Sequence, residues 1–118
     1  MTVGEAISRV DREKHNVYSE EDKRRWLYHL EHYLAGLTAA YTPVQPPKWE
    51  AFTPEYPLLV PEAYGQIYLR WLEYQIDYAN QDYRRSNNAL GMYRAEEEGY
   101  LSWLTRSGKP AGVSFRYW

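Results

Sequence analysis

Apolar residues recur at steps of three and four in several parts of this chain, which is the spacing of one face of an α-helix. The first part carries Thr2 followed three residues later by Glu5, the pattern of a capping box in which each residue satisfies the other's backbone N–H. On one side of this part lie Val3, Ala6, Ile7 and Val10. The pattern predicts a short helix from about Val3 to Glu13.

A second helix is predicted to begin after Ser19, whose side chain can cap a first turn in which residues 20–22 are all acidic and suit the helix dipole. Its apolar positions keep a helical period to about Ala39, and they are Trp26, Leu27, Leu30, Tyr33, Leu34 and Leu37. The other face is expected to carry the charged and polar residues Lys23, Arg24, Arg25, Glu31 and His32.

Pro61 predicts the start of a third helix, because proline has no N–H to lose at a first helical position and its φ is already helical. Two adjacent stripes at helical spacing follow, and most of their residues are apolar or aromatic: Tyr64, Tyr68, Trp71, Leu72, Gln75, Tyr78, Ala79 and Asp82 in one, and Ile67, Trp71, Tyr74 and Tyr78 in the other. Together they are wider than the roughly 100° that a surface helix needs. We expect a long central helix to about Arg84, covered on more than one side, with Asp77 and Asn80 as interior hydrogen-bonding groups.

Ser86–Asn88 is predicted to form a kink or a tight turn, because Ser and Asn side chains compete for backbone hydrogen bonds. Helical spacing resumes after this point and continues to about Ser107. Gly108 is expected to cap the helix and Pro110 to stop it. The sequence leaves two arrangements open for residues 61–107, one bent helix or an antiparallel pair.

Five prolines stand between Thr42 and Pro57, so this stretch is predicted to be a loop. A loop of this length in a compact domain is typically functional or disordered. The aromatic residues Trp49, Phe52 and Tyr56 argue against a free linker, and they are expected to dock on the bundle or on a partner. A short β-hairpin is the alternative for the same stretch.

The end of the chain, AGVSFRYW, alternates between two sets of side chains, which is typical of an extended arm able to pair with another chain. We therefore expect a single domain over residues 1–118. Its predicted fold is an all-α bundle of three to four helices with one long central helix, a Pro-rich loop at 42–60 and an extended C-terminal arm at 108–118.

Composition restricts the classes of function. The chain has 14 Lys and Arg against 16 Asp and Glu, so its charge favours neither nucleic acid nor anionic lipid as a partner. It has no cysteine, which excludes disulfides and thiolate metal sites. No apolar run reaches the roughly 18 residues of a membrane span, so a soluble, intracellular protein is expected. The 13 Tyr and five Trp are unusual, and such residues either fill a Tyr-rich core or form a large interface.

Candidate catalytic chemistry is sparse. His29 and His32 lack the H-E-x-x-H order of a zinc-protease helix and a third ligand, so they are interpreted as surface histidines. Glu73 and Asp77 stand one turn apart, and residues 96–98 are all Glu. All-α nucleotide hydrolases hold Mg²⁺ with such acids on facing helices, because this ion prefers oxygen ligands. Since acids one turn apart are common in helices, a metal-dependent nucleotide hydrolase is kept as the alternative function.

Basic residues occur in pairs at Arg24–Arg25 and Arg84–Arg85. Such pairs can follow the phosphates of DNA. The chain has neither a basic excess nor a helix-turn-helix signature, so sequence-specific DNA binding is not predicted. Arg84 and Arg85 are kept only as candidate DNA-facing residues.

Residues 58–93, LLVPEAYGQIYLRWLEYQIDYANQDYRRSNNALGMY, resemble the central block of small head–tail connector (adaptor) proteins of tailed bacteriophages and prophages. The matching positions are Leu59, Val60, Pro61, Tyr64, Tyr68, Leu69, Gln75, Ile76, Asp77, Tyr78, Ala79, Asn80, Asn87 and Asn88. The opening, TVGEAISRVDREKHNVYSEEDKRRWLYHLE, and the basic-aromatic ending are also similar to this family. Departures are the Pro-rich middle and Ser86, where an aromatic residue is usual. These motifs are structural and hold no active-site signature.

The resemblance implies an α-helical adaptor that forms a ring, expected to be twelvefold, beneath the portal protein. DNA would pass through the ring without sequence specificity, and the ring would join the portal to a stopper or tail-completion protein. The implied protein is a non-enzymatic virion component in the neck, and in the host cytoplasm during assembly, with no cofactor and no membrane partner.

The residues expected at protein interfaces are Trp49, Phe52, Tyr56, Tyr68, Trp71, Tyr74, Tyr78, Phe115, Tyr117 and Trp118. They are aromatic residues of the central helix, the Pro-rich loop and the arm, the three parts expected to face partners. A generic helical interaction module without a phage role is the remaining alternative.

Overall fold

The computed structural model describes residues 1–107, and helices dominate them. The four α-helices are α1 (Val3–Glu13), α2 (Glu20–Thr38), α3 (Gln66–Ala79) and α4 (Tyr83–Ser107). Two short 3-10 helices lie at Trp49–Ala51 and Glu62–Tyr64. The predicted all-α class is confirmed. The predicted arm at 108–118, with Phe115, Tyr117 and Trp118, and the predicted cap and stop at Gly108 and Pro110, lie outside the described residues.

The first two helices begin and end close to where the sequence predicted them. The Thr2 amide donates to Glu5 Oε1 over 2.8 Å, and the Glu5 amide donates to Thr2 Oγ1 over 3.2 Å, so the capping box of α1 is confirmed. Ser19 Oγ accepts from the Asp22 amide over 3.0 Å at the start of α2. Both helix starts could be predicted from the sequence, because each depends on a side-chain oxygen that accepts from the backbone amide three residues later.

The single helix predicted from Pro61 to Arg84 is wrong. Pro61 has a ψ of 154°, which is not helical, and a 3-10 turn separates it from α3, which is 14 residues long. The chain leaves α3 at Asn80, and Gln81 adopts a left-handed φ of 63°. Ser86–Asn88, the predicted kink, lies inside α4. The central helix and the longest helix, α4 with 25 residues, are therefore two different elements.

Asp82 explains why the chain turns before Ser86 rather than at it. Its amide donates to Asp77 O over 2.9 Å, and its Oδ1 accepts from the Arg85 amide over 3.2 Å, so Asp82 ends one helix and caps the next. Ser86 is 1% exposed, and its hydroxyl donates to Tyr74 O over 3.4 Å. The small Ser86 side chain thus allows α4 to pack closely on α3.

Helices α3 and α4 form an antiparallel pair, which decides between the two arrangements that the sequence left open. Three ring pairs show the direction: Tyr78–Tyr83 at 5.5 Å, Trp71–Tyr93 at 5.2 Å and Tyr64–Tyr100 at 6.3 Å between centroids. Helices α1 and α2 also pack on α3. The most deeply buried residues of α3 are Ile67, Tyr68, Leu69, Leu72 and Ile76. As predicted, the central helix is covered on more than one side.

The Pro-rich segment, residues 42–60, lies against the bundle. Pro54 O and Tyr56 O accept from the amides of Gly4 and Val3 over 2.8 and 3.0 Å, which satisfies two of the free N–H groups at the start of α1. A Cβ at Gly4 would lie 3.1 Å from Pro54 O, so the close approach favours glycine there. Within residues 1–107 the β-hairpin alternative is not formed; the isolated bridge Thr2–Pro57 is the β-pairing found.

Two predictions about polar residues need correction. Lys23 is not on an exposed face: it is 4% exposed, and its Nζ donates to Asp11 Oδ1 over 2.7 Å. Asn80 is not interior: it is exposed and accepts from the Tyr18 hydroxyl over 2.6 Å. The prediction for Asp77 is confirmed, since it is 4% exposed and lies 2.9 Å from Lys14 Nζ. Lys23 and Asp77 thus each have a partner of opposite sign on a neighbouring part of the chain.

The left-handed backbone at Gln81 can be tested by substitution. We expect Gln81→Gly to raise the free energy of unfolding by up to about 1 kcal/mol, because glycine adopts positive φ without a steric cost. Gln81→Val is expected to lower it by about 1–2 kcal/mol, since a β-branched residue is poorly tolerated there. Urea denaturation measures both.

The matched control for Gln81→Gly is Glu98→Gly, at an exposed position within α4. There glycine should lower the free energy of unfolding by about 0.5–1 kcal/mol. Opposite signs at the two positions support a left-handed Gln81, whereas equal destabilisation at both would contradict it.

Candidate interaction surfaces

A buried carboxylate, Glu31, joins three parts of the chain. It is 1% exposed, so its predicted position on the polar face of α2 is wrong. Its Oε1 accepts from the Tyr68 hydroxyl over 2.6 Å, and its Oε2 accepts from the Leu59 amide over 2.7 Å. The Tyr68 hydroxyl in turn accepts from the Val60 amide over 3.0 Å. Glu31 therefore fixes the end of the Pro-rich segment between α2 and α3.

The burial of Glu31 could have been predicted in part from its spacing in the sequence. It follows Leu27 by four residues and precedes Leu34 by three, and both leucines are fully buried, so it lies in the apolar stripe of α2. Burial raises the pKa of Glu31, and the hydrogen bonds from Tyr68 and Leu59 oppose that shift. Burial and the nearby Glu31 charge raise the pKa of Tyr68, which stays a hydrogen-bond donor at neutral pH.

The aromatic residues of the Pro-rich segment dock on α2 of their own chain. The Tyr28 ring lies 5.2 Å from the Trp49 ring and 5.4 Å from the Phe52 ring, and Phe52 lies 5.2 Å from Tyr56. Phe52 is 0% exposed, while Trp49 and Tyr56 are half-buried. Of the two alternatives left by the sequence, the bundle and a partner, the described contacts of this cluster are with the bundle.

Charged groups on α2 hold the same segment from outside. The guanidinium groups of Arg24 and Arg25 lie 4.2 and 4.6 Å from the centre of the Trp49 ring, a cation–π arrangement. Arg24 also donates to Phe52 O over 3.0 Å, and His32 Nε2 bonds to Pro47 O over 2.7 Å. The basic pair on α2 thus has a structural role in docking the segment.

The predicted interface residues of the central helix separate into two groups. Tyr68 is 0% exposed, so in this fold it packs inside the monomer and is not accessible to a partner. Trp71 and Tyr74 are half-buried, and Tyr78 is 54% exposed. Their rings continue to Tyr83, which is 53% exposed, with centroid separations of 5.3, 6.1 and 5.5 Å between neighbours. We call Trp71, Tyr74, Tyr78 and Tyr83 the aromatic row.

The aromatic row ends at the turn between α3 and α4, beside the candidate DNA-facing residues. Arg84 and Arg85 directly follow Tyr83, and both are exposed. Arg85 Nε lies 3.5 Å from Asp82 Oδ2. Tyr83 was not among the predicted interface residues, because it was expected near the end of a continuous helix, whereas it lies at the exposed start of α4.

A groove of about 460 Å³ lies between α2 and α4. Its lining comes from all three of the larger helices and consists of His29, Leu30, Tyr33, Trp71, Leu90, Tyr93, Arg94 and Glu97. Glu97 joins the two walls, because it accepts from the Tyr93 hydroxyl over 2.6 Å and from the Tyr33 hydroxyl over 3.2 Å. Burial and Glu97 raise the pKa of both tyrosines, which therefore remain donors. We call this feature the α2–α4 groove.

The acids of the alternative hydrolase do not converge. Glu73 lies 3.0 Å from Arg70 Nη1, Asp77 is paired with Lys14, and Glu97 accepts from two tyrosines. Among residues 1–107, no group of three or more His, Cys, Asp or Glu side chains is arranged to hold a metal ion. The magnesium site that this hypothesis requires is not assembled in the described fold. In the same residues, none of the helices has the length and apolar character needed to cross a membrane.

Comparisons with known proteins add no further constraint. No protein-family model matches the sequence, and no match was found among the curated proteins or the solved structures. Function is therefore inferred from the surfaces described above and from the sequence resemblance.

The buried Glu31 gives the protein a pH dependence of known sign. Because the folded pKa is raised above the ordinary value of 4.5, the folded state holds a proton that the unfolded chain has released. The contribution of this group to stability is greatest at low pH and falls as the pH rises from 4.5 through the raised pKa. We expect Glu31→Gln to remove this slope when unfolding is measured by denaturant at a series of pH values.

The control for Glu31→Gln is Glu98→Gln, an exposed residue of α4. Its pH profile should follow that of the wild type. If the Glu31→Gln profile also ran parallel to the wild type, Glu31 would not titrate differently in the folded and unfolded states.

The Tyr68 hydroxyl is expected to contribute strongly to stability. Tyr68→Phe leaves Glu31 Oε1 and the Val60 amide without their partner in the core, so we expect the free energy of unfolding to fall by about 2–3 kcal/mol. Tyr74→Phe is the matched control on the same helix, since Tyr74 is half-buried, and it should change stability by no more than about 0.5 kcal/mol. Equal effects at both positions would contradict the role of this hydrogen-bond network.

Proposed function

We propose that this chain is a non-enzymatic structural subunit of a phage virion, a head–tail connector that assembles into a ring in the neck. In this role it would bind the portal protein on one side and a stopper or tail-completion protein on the other, and DNA would pass through the ring. The sequence resemblance over residues 58–93 is the basis for the family assignment. The aromatic row is the observation on the molecule that carries the proposal.

The aromatic row has the character of a protein interface. Tyr, Trp, Met and Arg are enriched in such interfaces, and the row brings together one Trp and three Tyr next to Arg84 and Arg85. Met92 on the same helix as Tyr83 is 47% exposed. Isolated exposed apolar residues need no explanation, but a continuous series of rings reaching from the bundle to an exposed turn is typical of a binding surface.

A ring places a specific demand on its subunit. Contacts in a cyclic oligomer are heterologous, so each subunit must present two different surfaces that fit one another. The aromatic row and the α2–α4 groove share Trp71, so they form one continuous side of the molecule. In the proposed ring the aromatic row would contact a neighbouring subunit or the portal, and the exposed Arg84 and Arg85 would face DNA through non-specific phosphate contacts.

The proposal is tested by assembly. We expect the wild-type chain to form ring-shaped particles at high concentration, twelvefold in symmetry, or to co-purify with a portal protein and a stopper protein. Sedimentation velocity and electron microscopy measure both outcomes. A chain that stays monomeric in the presence of both candidate partners would contradict the proposal.

Variants in the aromatic row make the test specific. The double substitution Tyr78→Ser/Tyr83→Ser is expected to weaken assembly or partner binding by about tenfold or more, because buried Tyr side chains at interfaces contribute 1 kcal/mol or more each. The matched control is Glu50→Ser/Glu55→Ser, two exposed residues of the Pro-rich segment. It should assemble like the wild type.

A further inference from the structure

We propose that the α2–α4 groove is the binding site for residues 108–118 of this chain, GKPAGVSFRYW. The contact is independent of the proposed ring, because the segment can reach the groove of its own chain or that of a second copy. Three observations carry the inference: the lining of the groove, the charge and composition of the segment, and the distance between them.

The lining of the groove fits apolar and aromatic side chains. Leu30, Trp71, Leu90 and Tyr93 supply apolar and ring surface, and the volume of about 460 Å³ lies within the range of pockets that bury a small ligand. Trp71 is oriented by its indole N–H, which donates to Trp26 O over 3.1 Å. Tyr33, at the edge, is 50% exposed. An apolar groove between helices, lined in this way, typically receives the apolar side chains of a peptide.

The composition of residues 108–118 matches this lining. Phe115, Tyr117 and Trp118 place three aromatic residues within the last four positions, next to Val113. Large apolar side chains of this kind are the usual anchors of a binding segment. Because Tyr and Trp also carry polar tips, they suit a groove that is apolar inside and open to water at its edge.

The net charges of residues 1–107 and of the segment are opposite in sign. The chain has 14 Lys and Arg and 16 Asp and Glu. Two of the basic residues, Lys109 and Arg116, lie in residues 108–118, and none of the acids does. Residues 1–107 therefore contain 12 basic and 16 acidic residues. At the groove, Glu97 lies between Glu96 and Glu98, and none of the three is in an ion pair of the described residues. The groove lining itself contains one acid, Glu97, and one base, Arg94.

The distance permits the contact. Along the axis of α4, residue 107 lies about 15 Å from Glu97, ten residues earlier, and about 26 Å from Leu90, 17 residues earlier. Eleven residues can span at most about 36–40 Å, so the segment is long enough to return along the whole groove. Tethering also raises the effective concentration of the segment at the groove well above that of a separate partner. A helix of a second copy and a peptide of the portal or stopper protein are the competing occupants.

The experiment uses the full chain and the fact that it contains no cysteine. Ser114→Cys provides a single attachment site for a spin label within the segment. We expect the label to broaden the amide signals of groove residues, among them His29, Tyr33, Leu90 and Arg94, and to leave those of Ser8 and Arg12 on α1 unchanged. Reduction of the label restores the signals and gives the reference intensities.

Two groups of variants test the specific chemistry. Adding Phe115→Ser/Trp118→Ser to the labelled chain should abolish the broadening without affecting residues 1–107, and adding Lys109→Glu/Arg116→Glu should weaken it. Tyr33→Ser at the groove should also weaken it, whereas Tyr83→Ser, which removes an equally exposed tyrosine outside the groove lining, should not.

Mixing isotope-labelled chains with unlabelled chains that carry the spin label distinguishes the two sources of the segment. Broadening in the mixture indicates insertion into a second copy, and broadening only within one chain indicates insertion into its own groove; either result supports the proposal. Absent broadening, or broadening centred on the aromatic row or another surface, would overturn it. Such a failure would leave ring assembly untouched, because that is scored by sedimentation with the portal and stopper proteins.

Discussion

The fold depends on a carboxylate that water does not reach. A buried acid without a basic partner is unfavourable unless hydrogen bonds replace its hydration, and Glu31 receives two of them, from Tyr68 and from the Leu59 amide. Those donors belong to α3 and to the Pro-rich segment, so the acid on α2 forces three separate parts of the chain to meet at one point. Fixing the end of the Pro-rich segment in this way also positions the aromatic cluster around Tyr28 and the start of α3.

The sequence predicted best those elements whose signals are local. The starts of α1 and α2 depend on Thr2 and Ser19, side chains that bond to the backbone three residues away, and both were correct. The turn between α3 and α4 was placed wrongly because the Ser and Asn side chains of residues 86–88 were expected to mark the kink or turn. The residue with left-handed backbone is Gln81, and the residue that caps α4 is Asp82. A single Gln and a single Asp do not distinguish a turn from a helix in the sequence.

A surface could be predicted only where it depends on the residue pattern of a single helix. The exposure of Tyr78 could be anticipated from the excess apolar width of the third predicted helix, but the burial of Tyr68 depends on a partner 37 positions away. The groove was not predictable, because it exists only through the relative placement of α2 and α4 over Trp71. Likewise Glu97 looked like part of a solvated acidic run, and its role in joining two tyrosines depends on which residues of α2 come to lie beside it.

The two backbone bonds from Gly4 and Val3 to the Pro-rich segment have a dynamic consequence. Helix α1 is only 11 residues long, too short to persist alone in water, and its first amides rely on carbonyls contributed by Pro54 and Tyr56. When the segment detaches, those amides lose their acceptors and α1 frays. Elements separated by about 50 residues of sequence should therefore open and close together as one cooperative unit, while the α3–α4 pair, joined by three residues, remains folded as another.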